Sequence, residues 1–388
     1  MIFNYARASS KIPNILLVSA ICISPAVDAG SSDFGDGATL REDKITRHSI
    51  VIEEEELTDR SFYALTDLGR FIPALQTFVT GGGAGAGTYL RGIGASPLSA
   101  AFESSVPVVI DGVSLLPAAI LQAGQVDVSA IEVIFGPQGV AYGRGATGGV
   151  IVLNSNDPGE KFEAELSASY LPEHKGAQVR GLLSIPMGSR FGARLAVSAR
   201  EDEELRKNVV GAPSSTVDYR GRKSADARLT LLWDPTSDFR VRLKTFGSVT
   251  ENDGPNWMAQ MRCPEGEVQT TRVLSEGSFA TPPPTWTCLA DETVAFPDNQ
   301  VLLPDPSYST WPLWNSGVPY EEQEAGLVSL QLDWRIGDLF SIQSISAYAA
   351  LNSDSMDVYD FAMGFGSAQY THETSGWSQE LRLKSHIS

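Results

Sequence analysis

A chain of 388 residues with a net charge of −18 has length for two or three domains, and its shortage of Lys and Arg argues against nucleic acid or an anionic lipid surface as partner. Hydrophobic residues make up 42%, enough for a folded core, yet no stretch reaches the roughly 18 apolar residues of a membrane-crossing helix. A membrane protein made of these residues has to cross as a β-barrel.

The first 29 residues read as a secretory signal. Arg7 and Lys11 give the positive start, the stretch from Ile15 to Ile23 is a short apolar core, and cleavage is expected after Ala29. Ile21 before Cys22 is the wrong size for lipid attachment. Residues 30–48 are polar and form a flexible arm, and the run Glu53-Glu54-Glu55-Glu56 reads as a solvated helix start or turn. Four adjacent acids on a regular element cannot all face one metal ion. Leu68, Phe71, Ile72 and Leu75 then recur at helical spacing between Ser61 and Thr80, interrupted by Pro73. Short strands are predicted over 88–91, 107–110, 130–134 and 150–153, so residues 49–159 make a compact α+β unit.

The most informative stretch within it runs from Ile131 to Ile151. A β-rich apolar start gives way to six glycines between Gly136 and Gly149, then resumes as the strand-like Val150-Ile151-Val152-Leu153. Glycine at that density supplies positive φ and close backbone approach, so the chain turns sharply in a crowded space.

After residue 159 the pattern changes to period two. Phe191, Ala193, Leu195, Val197 and Ala199 alternate with Gly192, Arg194, Ala196, Ser198 and Arg200, and similar alternation recurs over 162–170, 224–233 and 328–335. Eight strands are predicted, over 161–171, 176–186, 190–201, 222–234, 238–249, 323–336, 338–350 and 375–386. Their connections alternate between very short and long, and Trp233, Trp334 and Trp377 fall at strand ends. Both features fit an outer-membrane barrel with short periplasmic turns, long outer loops and an aromatic girdle. Eight strands enclose only side chains, whereas plugged barrels need about 22, so the chain reads as a fragment or a truncated frame.

Several motifs resemble the TonB-dependent outer-membrane receptors. Leu90-Arg91-Gly92-Ile93-Gly94 and Val109-Ile110-Asp111-Gly112-Val113 are similar to two plug strands of that family, and the Gly-rich stretch with Glu132, Gly136, Pro137, Gly143, Arg144, Gly148 and Gly149 is similar to its plug signature. Ser378-Gln379-Glu380-Leu381-Arg382-Leu383 resembles a recurring barrel strand. Departures from the pattern are Phe135 in place of Arg before Gly-Pro, Gly145 after the Gly-Arg pair, Ala74 after Pro73, and no recognisable TonB box. The resemblance implies a mainly β protein in the outer membrane of a Gram-negative bacterium, with an α+β plug followed by the N-terminal part of an antiparallel barrel (160–388). It also implies outer-membrane lipid, a small-molecule ligand and the TonB energising complex of the inner membrane as partners.

Candidate site residues follow. The loop from Gly81 to Gly87 lacks the features of a phosphate loop, but Gly83, Gly85 and the nearby Tyr89 can present a plug tip to a ligand. Trp257, Trp286, Trp311 and Trp314 lie in the long stretch 250–320 and suit capture of a flat or greasy ligand; packing of the loop on itself is the competing reading. Cys263 and Cys288, the only cysteines after signal removal, are paired by their even count and oxidising compartment, closing a loop worth about 3 kcal/mol. Arg91 and Arg144 are placed at the plug–barrel contact, with Glu380 as one partner for such a charge. No metal-spaced His pair and no nucleophile elbow is present, so an enzyme is not expected. The expected function is active uptake of a scarce nutrient, a ferric siderophore first, with no cofactor beyond that cargo. The alternatives are a carbohydrate or cobalamin carried by the same machinery, or a remnant that does not transport.

Overall fold

The computed structural model describes residues 22–24, 48–60, 62–79, 86–94, 104–115, 123, 125–143, 145–171, 175–202, 207–208, 221–253, 272–275, 278–280, 293–294, 320–358 and 367–386. The first unit holds strands β1 (Ser49–Glu53), β2 (Leu75–Val79), β3 (Ala86–Leu90), β4 (Ile93–Gly94), β5 (Val108–Ile110), β6 (Val113–Leu115), β7 (Val128–Phe135) and β8 (Gly149–Ser155). Helix α1 (Glu54–Asp59) follows β1, a 3-10 helix spans Leu65–Arg70, and the short α2 (Gly139–Tyr142) lies between β7 and β8. One sheet has the order β1-β7-β8-β5-β6, with β5 and β8 parallel; a second has the order β2-β3-β4.

The apolar runs in β7 and β8 explain their central place. Val133, Ile134, Val150, Ile151 and Val152 are all buried, so both faces of the sheet are covered. Ile52, Leu57, Leu65, Leu68, Ile72 and Leu90 pack with Ile110, Ile131 and Ile151 into one core. The glutamate run does start a helix, with Glu54, Glu55 and Glu56 in its first turn, where the helix dipole favours acids. The helical spacing predicted across Ser61 to Thr80 resolves differently. Leu68, Ile72 and Leu75 are buried, but only Leu65–Arg70 is helical and Leu75 opens β2. Pro73 cannot continue the ladder, and the Asp67 carboxylate accepts from the backbone N–H of Tyr63 and Ala64, fixing the start of the turn.

Two hairpins rest on the Arg-Gly and Asp-Gly pairs. Arg91 and Gly92 have φ of 51° and 79°, and Asp111 and Gly112 have 49° and 82°, the positive pair that a two-residue type I′ turn requires. Gly149 has another reason to lack a side chain: a Cβ there would collide with the Ile134 carbonyl oxygen and the Leu90 side chain.

The second unit is a wall of antiparallel strands in chain order: β9 (Glu163–Leu171), β10 (Gly176–Met187), β11 (Phe191–Glu201), β12 (Arg222–Thr236), β13 (Phe239–Asp253), β14 (Tyr320–Ile336), β15 (Phe340–Val358) and β16 (Ser367–Ser385). Each coincides with a segment read from the period-two pattern, joined in three places by turns at 188–190, 237–238 and 337–339. A short strand, Cys22–Ser24, pairs in parallel with Arg382–Lys384 at the far edge. Trp377 does not sit at a strand end as predicted, because β16 begins ten residues earlier at Ser367; it packs on Tyr348 with ring centroids 4.8 Å apart.

The wall is inverted relative to a soluble sheet. Along β11, Arg194, Ala196 and Ser198 are buried while Leu195 and Val197 are exposed; along β14, Ser329 and Gln331 are buried while Val328 and Leu330 are exposed. Exposed rows of Leu and Val are stable facing lipid, and the polar face then turns toward the interior. Trp233, opposite Phe191, and Trp334, opposite Phe239, mark the short-turn end of that outer face. No helix among the described residues is long and apolar enough to cross a membrane.

Candidate functional site

The interior face of β11, β12 and β13 meets the first unit through buried charge. Arg228, 2% exposed, donates from Nη1 to Asp111 Oδ2 at 3.1 Å and from Nε to the Val126 carbonyl at 2.9 Å. Lys244 Nζ donates to Asp111 Oδ1 and to the Ser155 carbonyl, both at 3.1 Å, and lies 3.0 Å from Asp157 Oδ1. Ser155 completes the knot, donating its backbone N–H and its hydroxyl to the Asp111 carboxylate. Burial alone would raise the Asp111 carboxyl, but Lys244, Arg228 and the Ser155 bonds outweigh it and hold the group below the usual carboxylate range.

Further contacts lie toward both ends of the wall. Arg194 forks onto Asp127, with Nε to Oδ2 at 2.8 Å, and reaches Glu163 at 2.9 Å. Arg242 bridges Asp157 and Asp333 at 2.8 and 3.0 Å. For Asp157, burial would again raise the carboxyl, but Lys244 and Arg242 leave it lowered. Toward the long-connection end, Tyr63 donates its hydroxyl to Asp226 at 3.1 Å and lies under the guanidinium groups of Arg200 and Arg222. Burial first, then the Asp226 charge, raises the Tyr63 phenol, so it remains a donor.

Asp111 and Asp127 both have positive φ, so tight turns aim each carboxylate out of its own sheet toward the wall. Charge-assisted bonds of this kind are directional, and leaving one member buried without its partner costs more than the pair contributes. The arrangement can hold the first unit in one register against the wall and release it when pulled.

Predicted residues are distributed unevenly. Asp111 is in the ionic knot, with Gly112 beside it completing its turn. Arg91 stacks on Phe135 at 4.4 Å, and the Glu380 carboxylate meets Arg382 on its own strand, so these form two separate contacts in place of one plug–barrel pair. Glu132 lies on β7, Tyr89 on β3, and Gly136, Pro137, Gly143, Gly148 and Gly149 surround α2 at the β7–β8 connection. Gly83, Gly85, Arg144, Trp257, Trp286, Trp311, Trp314, Cys263 and Cys288 lie outside the described residues. Sequence reasoning missed Tyr63, Asp127, Asp157, Arg194, Arg228, Arg242 and Lys244. For Arg194, Arg228, Arg242 and Lys244 the one sequence signal was basic side chains recurring at alternate positions of three neighbouring strands; Tyr63, Asp127 and Asp157 carried none.

An α+β unit pinned by buried charges to the polar face of an antiparallel sheet has the arrangement of a plug set against a barrel wall. Residues 41–150 match the family model described as the TonB-dependent Receptor Plug Domain. The pesticin receptors of Yersinia pestis and Yersinia enterocolitica are 33% identical over 110 residues, which is 28% of this chain and 16% of theirs. Among solved structures, the ferric yersiniabactin uptake receptor FyuA from Yersinia pestis aligns with a TM-score of 0.63 at 17% identity, over 88% of this chain and 46% of that one. The siderophore receptor PiuA from Acinetobacter baumannii gives 0.61 at 16% identity, over 88% and 43%. The chain thus spans less than half the length of either solved receptor.

Proposed function

We propose that this chain serves uptake of a ferric siderophore across the outer membrane, driven through TonB. The observation that carries the reading is the Asp111–Arg228–Lys244 knot, a buried ionic latch between a plug turn and the interior of a lipid-facing wall. A receptor that admits a scarce ligand needs a passage closed at rest and opened by outside work, and a plug pinned by polar contacts meets both needs. The relatives carry the substrate class: they are receptors for pesticin, ferric yersiniabactin and a siderophore. In this reading Trp257, Trp286, Trp311 and Trp314 receive the chelate, the Cys263–Cys288 bridge ties their stretch, and Gly83, Gly85 and Tyr89 belong to the plug tip. Arg91 and Arg144 support the plug.

The test is radioiron uptake from ferric yersiniabactin and from a ferric catecholate in the native host, with the gene intact, deleted or restored, and with TonB present or absent. Uptake of at least one chelate should fall on deletion of either gene and return with this one. Uptake unchanged by deletion, or restored equally without TonB, would refute the proposal.

A further inference from the structure

One part of the wall departs from the apolar rule on its outward face. The row through Ile185, Ala193, Leu231, Leu243 and Leu330 turns an aliphatic side chain outward on every strand from β10 to β14. On β15 and β16 the same row continues as Ser346 and Gln379. Ser346 donates its hydroxyl to Gln379 Oε1, and Gln379 Nε2 donates to Ser344 Oγ at 3.0 Å. The Ser344 hydroxyl proton meets no acceptor among the described residues. The next row holds Tyr348 and Trp377, whose rings pack together, and Trp377 is 73% exposed. On β14 the outward residues Leu332, Leu330, Val328 and Gly326 separate Trp334 at the short-turn end from Glu324. Ser346 stands opposite Leu330 and Tyr348 opposite Val328, so the polar pair and the aromatic pair take the two central rows of the apolar band.

Hydrocarbon at the middle of a bilayer offers no donor or acceptor, so hydroxyls and an amide at that depth gain most from another protein surface. Trp and Tyr that face lipid collect at the two membrane–water interfaces, where the polar atom of the ring meets water. A central pair lacks that partner, whereas Trp and Tyr are common anchors of protein–protein contacts. We propose that Ser344, Ser346, Tyr348, Trp377 and Gln379 form a contact between two copies of this chain in the plane of the membrane. The patch carries no charge and offers donors and acceptors together, so it complements itself. A twofold axis through it sets Ser344 of one copy against Gln379 of the other without repulsion. The pairing involves the outward face alone and does not require uptake.

The test is oxidative cross-linking in whole cells with a membrane-permeant copper–phenanthroline catalyst, read as mass on non-reducing gels with the parent chain as background. Ser344→Cys and Ser346→Cys report the patch, and Leu195→Cys, exposed on β11, reports chance collision. A product of twice the chain's mass should form at the patch severalfold above Leu195→Cys, and adding Gln379→Leu or Trp377→Ala should reduce it severalfold. Equal cross-linking at Leu195→Cys, a product of any other mass, or no product from cysteine variants that reach the outer membrane would overturn the pairing. If neither patch variant reaches the membrane, sedimentation of the detergent-purified parent decides. A dimer that Gln379→Leu or Trp377→Ala dissociates supports the contact, and a monomer, or a dimer indifferent to both, overturns it.

Discussion

In the plug, β7 and β8 bury Val133, Ile134, Val150 and Ile151 on both faces; in the wall, β11 and β12 bury Arg194, Asp226 and Arg228 and leave Leu195 and Val197 exposed. The same secondary structure thus answers to two solvents. The plug folds by the ordinary rule, burying apolar surface away from water. The wall has lipid outside, so its apolar face needs no protein cover, and its interior can carry charge provided something pairs with it. The plug's turn aspartates are that pairing. The contrast teaches that the plug is the second half of the wall's electrostatics as well as an obstruction in its lumen.

Three substitutions sharpen that contrast. The largest effect is expected from Asp111→Ala, which leaves Arg228 and Lys244 buried without their shared carboxylate and should weaken plug docking by about 3–5 kcal/mol. Limited proteolysis of the plug and the plug transition in calorimetry would register it, and an unchanged cleavage rate would count against the knot as a fastening. Acid should act in the same direction. Asp111 and Asp157 are held below the usual carboxylate range when docked, so their contribution is fully present above the ordinary carboxylate pKa and is lost as pH falls through the lowered docked value. The same proteolysis across an acid series should show docking loosening in that window, and less so in Asp111→Ala.

A smaller effect is expected within the plug itself. Gly149→Ala forces a methyl against the Ile134 carbonyl and Leu90, an overpacking worth about 1–3 kcal/mol, read as a lower plug melting temperature. Smallest is Asp234→Asn, at the short-turn end of the wall. The Arg240–Asp234 pair there is partly exposed, so its loss should cost less than about 1 kcal/mol in barrel unfolding. If Asp234→Asn proved as damaging as Asp111→Ala, the distinction between a buried latch and a solvated pair would fail.

The wall was legible in the sequence because period two survives over ten residues and short turns punctuate it; each of the eight wall strands has its counterpart in that pattern, whereas the short strands Lys207–Asn208, Arg272–Ser275, Ser278–Ala280 and Thr293–Val294 do not. Parts of the plug were not. Leu75-Gln76-Thr77-Phe78-Val79 is a strand only because β3 lies beside it, and its Leu75 continues the helical spacing of Leu68 and Ile72. The Asp111-Gly112 turn has residue types that accept two positive φ values in succession, whereas Arg91, predicted as the end of a strand over 88–91, lies in a turn that its residue type does not announce. The partners of Asp111 could not be read. Arg228 and Lys244 look in sequence like any polar member of an alternating strand, and they lie 117 and 133 residues away from it. Arg91, expected at the plug–barrel contact, lies instead against Phe135 of its own unit, for the same reason: charge can be counted from a sequence, but register between two units cannot.

The four pinning cations differ in what they would keep without the plug. Arg194, Arg228, Arg242 and Lys244 stand on three neighbouring strands with their side chains turned inward. Arg194 and Arg242 also hold wall carboxylates, Glu163 and Asp333, whereas among the described residues Arg228 and Lys244 form ion pairs with plug carboxylates alone. The net charge of the wall's inner face is therefore set at its centre by the plug and toward its short-turn end by the wall itself.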